Sequence, residues 1–418
     1  MCRSFTMKFP HYVRSLALWE RVGVRERSGA GRHFMIRGGT PRPMIVSGRV
    51  LRWSLSWFLL TWLGLAIAAP VVILPESEPS LIGGLTLAKT SFNPSRGEAL
   101  DLTLDLKQAA DVTVRVFDAD WREVSTLVEK KAMPAGESAL GWSGKNAQGE
   151  VVPDEAYFFT VEAEAGDLEE IYDPTAFSGG EEADLTEASL DPSVGAIRYR
   201  LPEMARVNIR IGISGGPLMR TVVDWEPRVA GAVTDYWDGK DLDGLIDLWE
   251  HPDRKMIITY FTLPASSVIT YGNDNALDLD RVFEADARTK PERNPQRAES
   301  TKISRHYRIP RAQDRAPTIK MGFPNQVGEE DGAVVLNGRS IVHVDLDEAS
   351  KPHFQSAKFE IVFYVDGRFY AEEETGYAPY NWVWDTSQMD EGSYLLTVNV
   401  SSFKDQIGIK SARVKIVR

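Results

Sequence analysis

The segment Gly212–Gly216 matches the nucleophile motif G-x-S-x-G of serine hydrolases. In those enzymes the serine stands on a strand-to-helix turn, and a histidine and an acid lie beside it. Here Ser214 lies between two strand-like stretches, and an internal repeat described below aligns it with Ala119 in a predicted hairpin turn. We therefore predict that Ser214 is not a nucleophile and that the chain is not an enzyme.

A second candidate for chemistry is the acidic segment 238–250, which can be aligned with the twelve-residue calcium loop. That loop supplies oxygen ligands from fixed positions, beginning with an Asp at position 1. Position 1 is Gly239 here, and Asp238 is one residue out of register. The carboxylates at positions 3, 5, 9 and 12 are Asp241, Asp243, Asp247 and Glu250. These four are the candidate calcium ligands, and the alternative is an ordinary turn.

Other reactive groups are sparse. The one cysteine, Cys2, stands near the N-terminus, so the rest of the chain has no disulfide or thiolate site. Four histidines follow residue 68, and none has the H-E-x-x-H spacing of catalytic zinc sites. They are His251, His306, His343 and His353. Neither of the two phosphate-binding glycine motifs, G-x-x-x-x-G-K-[ST] and G-x-G-x-x-G, occurs in the sequence. We therefore expect no cofactor apart from the calcium considered above.

Tryptophans offer another kind of site, because an exposed indole can stack on a sugar ring. Trp142 and Trp237 occupy equivalent positions of the repeat, and we predict that both fill a core. The candidates for carbohydrate binding are therefore Trp121, Trp225 and Trp249. An exposed, coplanar arrangement of these three rings would support that function, and their burial would remove it.

Charge divides the chain into a basic leader and an acidic body. Residues 1–68 contain eleven basic and two acidic residues, a net charge of +9, whereas the remaining residues carry −21. A body with that charge repels phosphate backbones, so we expect no nucleic-acid partner.

The leader predicts export. An uncharged run of 23 residues, 53–75, follows Arg49 and Arg52. Ala66-Ile67-Ala68 fits the signal-peptidase rule, which predicts a signal peptide at 44–68. The alternative is an uncleaved membrane anchor, because a run of this length can span about 30 Å of hydrocarbon. Either reading leaves the body in the periplasm or outside the cell. Residues 1–43 are then a disordered basic extension or a misassigned start, with Met44 as the true first residue.

The body contains an internal repeat. Residues 112–149 align without a gap with residues 207–244, at an offset of 95. Ten pairs are identical: Val112/Val207, Arg115/Arg210, Thr126/Thr221, Val128/Val223, Ala135/Ala230, Gly136/Gly231, Trp142/Trp237, Gly144/Gly239, Lys145/Lys240 and Gly149/Gly244. Apolar residues alternate with polar ones in each copy, as in strands with one buried face. We therefore predict two antiparallel β-sandwiches, with sharp turns at Gly136 and Gly231.

The patterns VTVRVFDADWREVSTL, PAGESALGWSGKNAQGEVV and AYFFTVEA resemble the immunoglobulin-like domain of the flagellar hook-capping protein. The second copy is similar too, through AGAVTDYWDGKDLDG. The first copy departs from the family's turn at Ser143 and Asn146, so the acids of that turn are not needed for the fold. The resemblance covers roughly residues 90–163 and 190–270, and it implies sandwiches used for structure or interaction.

Residues 318–418 also have strand patterns and resemble C-terminal immunoglobulin-like modules of bacterial surface proteins. Asp366-Gly367 predicts a tight hairpin there, because its turn needs positive φ at both central residues. The predicted fold class is all-β: tandem immunoglobulin-like antiparallel β-sandwiches behind a signal peptide. The predicted boundaries are domain 1 at 80–165, an acidic linker at 166–190, domain 2 at 191–283, a basic linker at 284–317 and domain 3 at 318–418.

Two functions from different classes follow. The first is a non-catalytic exported protein that presents immunoglobulin-like domains to a protein partner, as an accessory subunit of a cell-envelope complex. The second is a carbohydrate-binding protein or an accessory module of a polysaccharide-active enzyme. We expect contact with a membrane only through the N-terminal segment, if that segment is uncleaved.

Overall fold

The computed structural model describes residues 80–273, 302–355 and 358–418. Within these ranges the chain is all-β, as predicted, and its strands form three successive sandwiches of two sheets each. The predicted extension 1–43 and the predicted signal peptide 44–68 lie outside the described residues. No helix of the described residues is long and apolar enough to cross a membrane.

Sandwich 1 begins the described chain. Its consecutive strands are β1 (Ile82–Leu87), β2 (Ser91–Phe92), β3 (Leu100–Leu106), β4 (Ala110–Asp118), β5 (Glu123–Met133), β6 (Gly136–Trp142), β7 (Ala156–Ala165) and β8 (Leu168–Tyr172). Short 3-10 helices span Pro94–Arg96 and Pro174–Ala176. One sheet has the order β1-β3-β6. The leucines of β3 alternate with polar residues and point into the core, which is the period of two expected for a strand.

Sandwich 2 follows with the same alternation. Its strands are β9 (Glu182–Leu185), β10 (Ala188–Asp191), β11 (Ala196–Leu201), β12 (Ala205–Ile213), β13 (Leu218–Arg228), β14 (Gly231–Tyr236) and β15 (Arg254–Thr262). They form one sheet of order β10-β11-β14 and another of order β13-β12-β15-β9. The next strand, β16 (Val268–Thr270), does not stay in this sandwich.

β16 completes the larger sheet of sandwich 1. That sheet has the order β2-β16-β7-β4-β5, with β8 also paired to β7. β16 runs antiparallel to β7 and parallel to β2. The predicted domain 2 at 191–283 is therefore not one sandwich, because β16 within it belongs to sandwich 1, and residue 283 itself lies outside the described residues.

The predicted acidic linker 166–190 also differs from the structure. It contains β8 and β9 and most of β10, which pair with β7, β15 and β11 respectively. Glu169 and Asp184 stand at exposed positions of β8 and β9, so part of the acidic charge of this segment belongs to edge strands.

The two copies of the repeat share backbone details. Lys130 in β5 and Trp225 in β13, at equivalent positions, have φ values of 42° and 52° next to a β-bulge. Gly136 and Gly231 have φ values of 92° and 100°, as the predicted turns require.

The repeated tryptophans fill the two cores, as predicted. Trp142 and Trp237 are 2% and 4% exposed. Each indole nitrogen donates a hydrogen bond to a backbone carbonyl three residues later, Trp142 to Lys145 O at 3.1 Å and Trp237 to Lys240 O at 2.9 Å. The same ring therefore ties the same turn in both sandwiches.

Sandwich 3 is formed by the C-terminal residues. Its strands are β17 (Ile319–Gly322), β18 (Gly328–Glu330), β19 (Ala333–Leu336), β20 (Arg339–Leu346), β21 (Phe359–Val365), β22 (Arg368–Glu373), β23 (Tyr380–Asp385), β24 (Gly392–Ser402) and β25 (Ile407–Ile416). The sheets have the orders β17-β20-β23 and β18-β19-β25-β24-β21-β22. The other short helices are α1 (Arg305–Arg308), α2 (Lys351–Gln355) and 3-10 turns at Arg311–Gln313 and Thr386–Gln388. Asp366 and Gly367 have φ values of 47° and 74°, which confirms the predicted hairpin.

Candidate functional site

The junction between sandwiches 1 and 2 contains a buried ion pair. Arg206 at the start of β12 bonds Glu155, which immediately precedes β7, and the two residues are 2% and 6% exposed. Arg206 also donates to Trp225 O at 2.9 Å. Burial lowers the pKa of Arg206, and Glu155 opposes that change. Each charge depends on the other, because an isolated buried charge is costly.

The segment 302–317 lies where all three sandwiches meet. Arg311 donates its backbone N–H to Asp120 of sandwich 1 at 3.0 Å and its guanidinium to Asp224 O of sandwich 2 at 3.2 Å. Arg305 donates to Phe403 O of sandwich 3 at 2.7 Å. The described part of the predicted basic linker is thus packed against all three sandwiches.

His306 in α1 anchors this segment. It is 3% exposed, its ring centroid lies 4.4 Å from that of Trp225, and its Nδ1 lies 2.8 Å from Asp314 Oδ1. The nearby Asp224 is half-buried, and burial raises its pKa although the Arg311 charge acts in the opposite direction. The junction is therefore a cluster of partly desolvated charges.

Sandwich 3 docks on sandwich 2 through the outer face of its larger sheet. Asn399 of β24 accepts a hydrogen bond from Leu218 N at 2.9 Å and donates one to Leu218 O at 3.0 Å. The Leu218 side chain is fully buried against Ile407 and Ile409 of β25. Arg210 adds a bond to Asp405 O at 2.6 Å. This contact combines apolar burial with satisfied backbone groups.

The predicted calcium loop serves that same docking. Asp241 is buried, and its Oδ1 accepts backbone hydrogen bonds from Leu245 and Ile246 at 2.6 and 2.9 Å. Asp243 bonds Ser411 N of β25 at 2.6 Å and pairs with Lys410.

The other two candidate calcium ligands, Asp247 and Glu250, have separate surroundings. Asp247 Oδ1 accepts Trp249 N at 2.8 Å, and Glu250 is exposed. Among the described residues, no three His, Cys, Asp or Glu side chains are grouped so that they could hold a metal ion. The structure therefore does not bring Asp241, Asp243, Asp247 and Glu250 together as a ligand set.

The three candidate carbohydrate rings do not form an exposed strip. Trp225 is 3% exposed and packs on Phe261 and His306. Trp121 is half-buried, edge-on to Tyr307. Trp249 is half-buried against Trp237, 4.6 Å between centroids. These rings line junctions and a core, so no geometry here favours carbohydrate stacking on them.

Ser214 lies at an exposed hairpin turn between β12 and β13, not on a strand-to-helix turn. Its backbone N–H bonds Asp253 O at 2.8 Å, and Gly216 N closes the turn onto Ile213 O at 2.9 Å. The location agrees with the hairpin that the repeat predicts.

Sequence reasoning did not identify the junction residues Arg206, Glu155, His306 and Asn399. One signal for a junction residue lies in the repeat, where Asp111 of the first copy is replaced by Arg206 in the second. Asp111 is exposed, whereas Arg206 is buried at the junction. A second signal is Ser304, an N-cap residue type that does accept a hydrogen bond from His306 N at the start of α1.

Together the sheets and junctions define a protein of tandem immunoglobulin-like β-sandwiches held in contact. The FlgD Ig-like domain family matches residues 90–167, which lie within sandwich 1. A search of curated proteins finds no match to this chain.

Three solved structures are similar to the chain at low sequence identity. A tetra-tandem repeat in the extending region of a large adhesion protein is 11% identical with a TM-score of 0.18, over 80% of this chain and 73% of that one. The chicken CNTN1 FN1-FN3 domains are 10% identical with a TM-score of 0.17, over 81% and 99%. A 1.5-MDa bacterial ice-binding adhesin, described for its host cell surface retention, is 10% identical with a TM-score of 0.17, over 82% and 99%.

Proposed function

We propose that the chain is a non-catalytic exported protein that presents its joined sandwiches to a protein partner, as an accessory subunit of a cell-envelope complex. The observation that carries this proposal is the use of charged side chains at the junctions. The side chains of Arg206, Arg311 and Asp243 each tie one part of the chain to another. A catalytic site instead needs an acid, a base and a nucleophile that converge on a substrate.

Export to the periplasm or beyond the cell rests on the leader sequence. If signal peptidase cleaves after Ala68, N-terminal sequencing of the mature protein will begin at Ala69. An uncleaved chain in the membrane fraction would make the segment 53–75 an anchor. An intact chain in the cytosol would contradict export.

Catalysis is tested at Ser214. The protein should not react with a serine-directed fluorophosphonate probe, because the hairpin turn supplies no aligned base. Labelling that is present in the wild type and lost in Ser214→Ala would contradict the non-catalytic proposal.

The partner is tested by affinity purification from native membranes, followed by mass spectrometry. A matched pair of variants gives the control: Leu218→Glu places a charge in the docking face, and Glu123→Leu alters the equivalent exposed position of sandwich 1. We expect the same specific proteins with the wild type and Glu123→Leu and fewer with Leu218→Glu. Recovery of no protein beyond that obtained with the tag alone would contradict the proposal.

A further inference from the structure

A cleft of about 370 Å³ lies beside the contact between sandwiches 2 and 3. Its lining includes Ile246 of the 238–250 loop and Glu330 of the β18–β19 hairpin. Leu395 of β24 also lines the cleft, as do Arg413 and Lys415 of β25. The volume falls within the range of about 300–1,000 Å³ that is usual for ligand sites, which often lie between domains.

The cleft continues an existing binding face. On the outer side of the β24–β25 pair, Asn399 is opposite Ile409, and sandwich 2 covers both. Four residues before Asn399 and on the same face of β24, Leu395 is opposite Arg413, and both residues line the cleft. The same sheet surface thus passes from a contact that sandwich 2 fills to one that sandwich 2 covers only in part.

The filled part shows which chemistry this surface accepts. There sandwich 2 inserts the aliphatic Leu218 and, nearby, the carboxylate of Asp243, which bonds Ser411 N and Lys410. The cleft repeats both elements. It has aliphatic side chains in Ile246 and Leu395, and it has cations in Arg413 and Lys415.

The charges in the cleft narrow the class of ligand. Arg413 spends one donor on Leu245 O at 2.8 Å, and Lys415 pairs with Glu330 at 2.6 Å with both side chains partly exposed. Glu330 and Asp331 repel a phosphate dianion more strongly than they repel a single carboxylate, which carries half the charge. The lining aromatic side chain, Tyr394, bonds Asp390 O and packs against the core, so it gives no platform for a sugar.

We propose that this cleft binds an extended segment of a partner protein that presents a carboxylate side chain next to an aliphatic one. The carboxylate bonds Arg413 and Lys415, since charge-assisted hydrogen bonds to these groups are the strong polar contacts available. The aliphatic side chain packs on Ile246 and Leu395. This inference rests on the proposed function, and it names the surface and the partner chemistry of that interaction.

The test uses the full-length protein labelled with ¹³C at isoleucine methyl groups, with the capped pentapeptide Gly-Leu-Glu-Leu-Gly as the probe. The Ile246 methyl signal should shift and saturate on titration. The exposed Ile171 in sandwich 1 provides the internal control and should not move. The matched peptide Gly-Leu-Gln-Leu-Gly should bind at least about tenfold more weakly, since it lacks the charge that strengthens the hydrogen bonds.

Two variants test the site from the side of the protein. Arg413→Gln removes the charge but keeps a donor for Leu245 O, and Lys415→Gln leaves Arg413 untouched. Each should weaken binding of the Glu peptide about tenfold and bring it close to that of the Gln peptide. Equal binding of the two peptides, equal binding by wild type and both variants, or no saturable shift of Ile246 would overturn the inference.

A wrong cleft and a wrong proposed function would give different results. A membrane partner captured equally by wild type, Arg413→Gln and Lys415→Gln would refute the cleft and leave the proposed function standing. Saturable peptide binding without any specific membrane partner would refute the proposed function and leave the cleft standing.

Discussion

Sandwiches 1 and 2 have the same arginine at the same point of the repeat but use it differently. In sandwich 1, Arg115 pairs with Glu162 and Glu123 on an outer face. In sandwich 2, the equivalent Arg210 donates to Asp405 O of sandwich 3. The residue that changes beside it is Glu123, which becomes Leu218 at the same strand position. The face with the charged Glu123 is thus exposed to water, whereas the equivalent face with the apolar Leu218 is covered by sandwich 3.

The same contrast occurs at two other positions. The exposed Asp111 of sandwich 1 corresponds to the buried Arg206 of sandwich 2. Gln148, in an exposed turn, corresponds to Asp243, which bonds sandwich 3. Core residues are shared and surface residues diverge, so the fold is set by the first group and the assembly by the second.

The largest effect should come from what the sandwiches share. Trp142→Ala and Trp237→Ala should each lower the free energy of unfolding by about 3–5 kcal/mol, because each leaves a large cavity. Urea denaturation measures both. Tyr236→Ala, at a position 71% exposed, is the control and should change stability by less than about 0.5 kcal/mol. If either tryptophan variant unfolded at nearly the same urea concentration as the wild type, that tryptophan would not support its core as the other one does.

Removal of Arg206 should cost nearly as much. Arg206→Met leaves Glu155 buried without its partner, and the loss should be about 3 kcal/mol. The double variant Arg206→Met/Glu155→Met should recover most of it, as measured by urea denaturation. Asp111→Met, at the equivalent exposed position, should stay within about 0.5 kcal/mol of wild type. No recovery in the double variant would show that the pair acts through packing and not through charge.

Exchanging Leu218 and Glu123 tests why sandwich 3 docks on sandwich 2 and not on sandwich 1. Leu218→Glu should cost about 2 kcal/mol through lost apolar burial and should increase the radius of gyration in small-angle scattering as sandwich 3 separates. Glu123→Leu should leave the radius of gyration and the stability unchanged. An unchanged radius for Leu218→Glu would mean that the remaining contacts suffice for docking.

The smallest effect concerns pH. Burial raises the folded-state pKa of Asp224 above its ordinary value of 3.8, so the folded protein holds this proton more tightly than the unfolded chain does. The associated stabilisation is present at low pH and is lost as pH rises through the folded pKa.

Asp224→Asn should therefore be more stable than wild type at pH 7, and the difference should disappear below the ordinary pKa of 3.8. The control Glu129→Gln makes the same change of charge at the equivalent position of sandwich 1, which is exposed. Thermal unfolding at several pH values measures both. If the wild type were more stable than Asp224→Asn at pH 7, the predicted upward shift of the Asp224 pKa would be contradicted.

The repeat made the cores predictable, because Trp142, Trp237 and the turn glycines recur at one offset and each has a local physical role. The Asp366-Gly367 hairpin was predictable for the same reason, since it depends on two adjacent residues. The junctions were not, because they depend on which surface positions face another domain. Asp243 looks like a ligand residue in its own loop, and only the position of Ser411 reveals its partner.

The return of β16 to sandwich 1 has a consequence for the order of folding. Thr270 bonds Glu155 across 115 positions, so the larger sheet of sandwich 1 gains a strand that is synthesised after the whole of sandwich 2. Contacts between residues so distant in sequence form slowly, because a long loop must close first. For a chain that crosses a membrane N-terminus first, sandwich 1 would wait with an open sheet until sandwich 2 had followed it. The two sandwiches would then complete their folding together instead of one after the other.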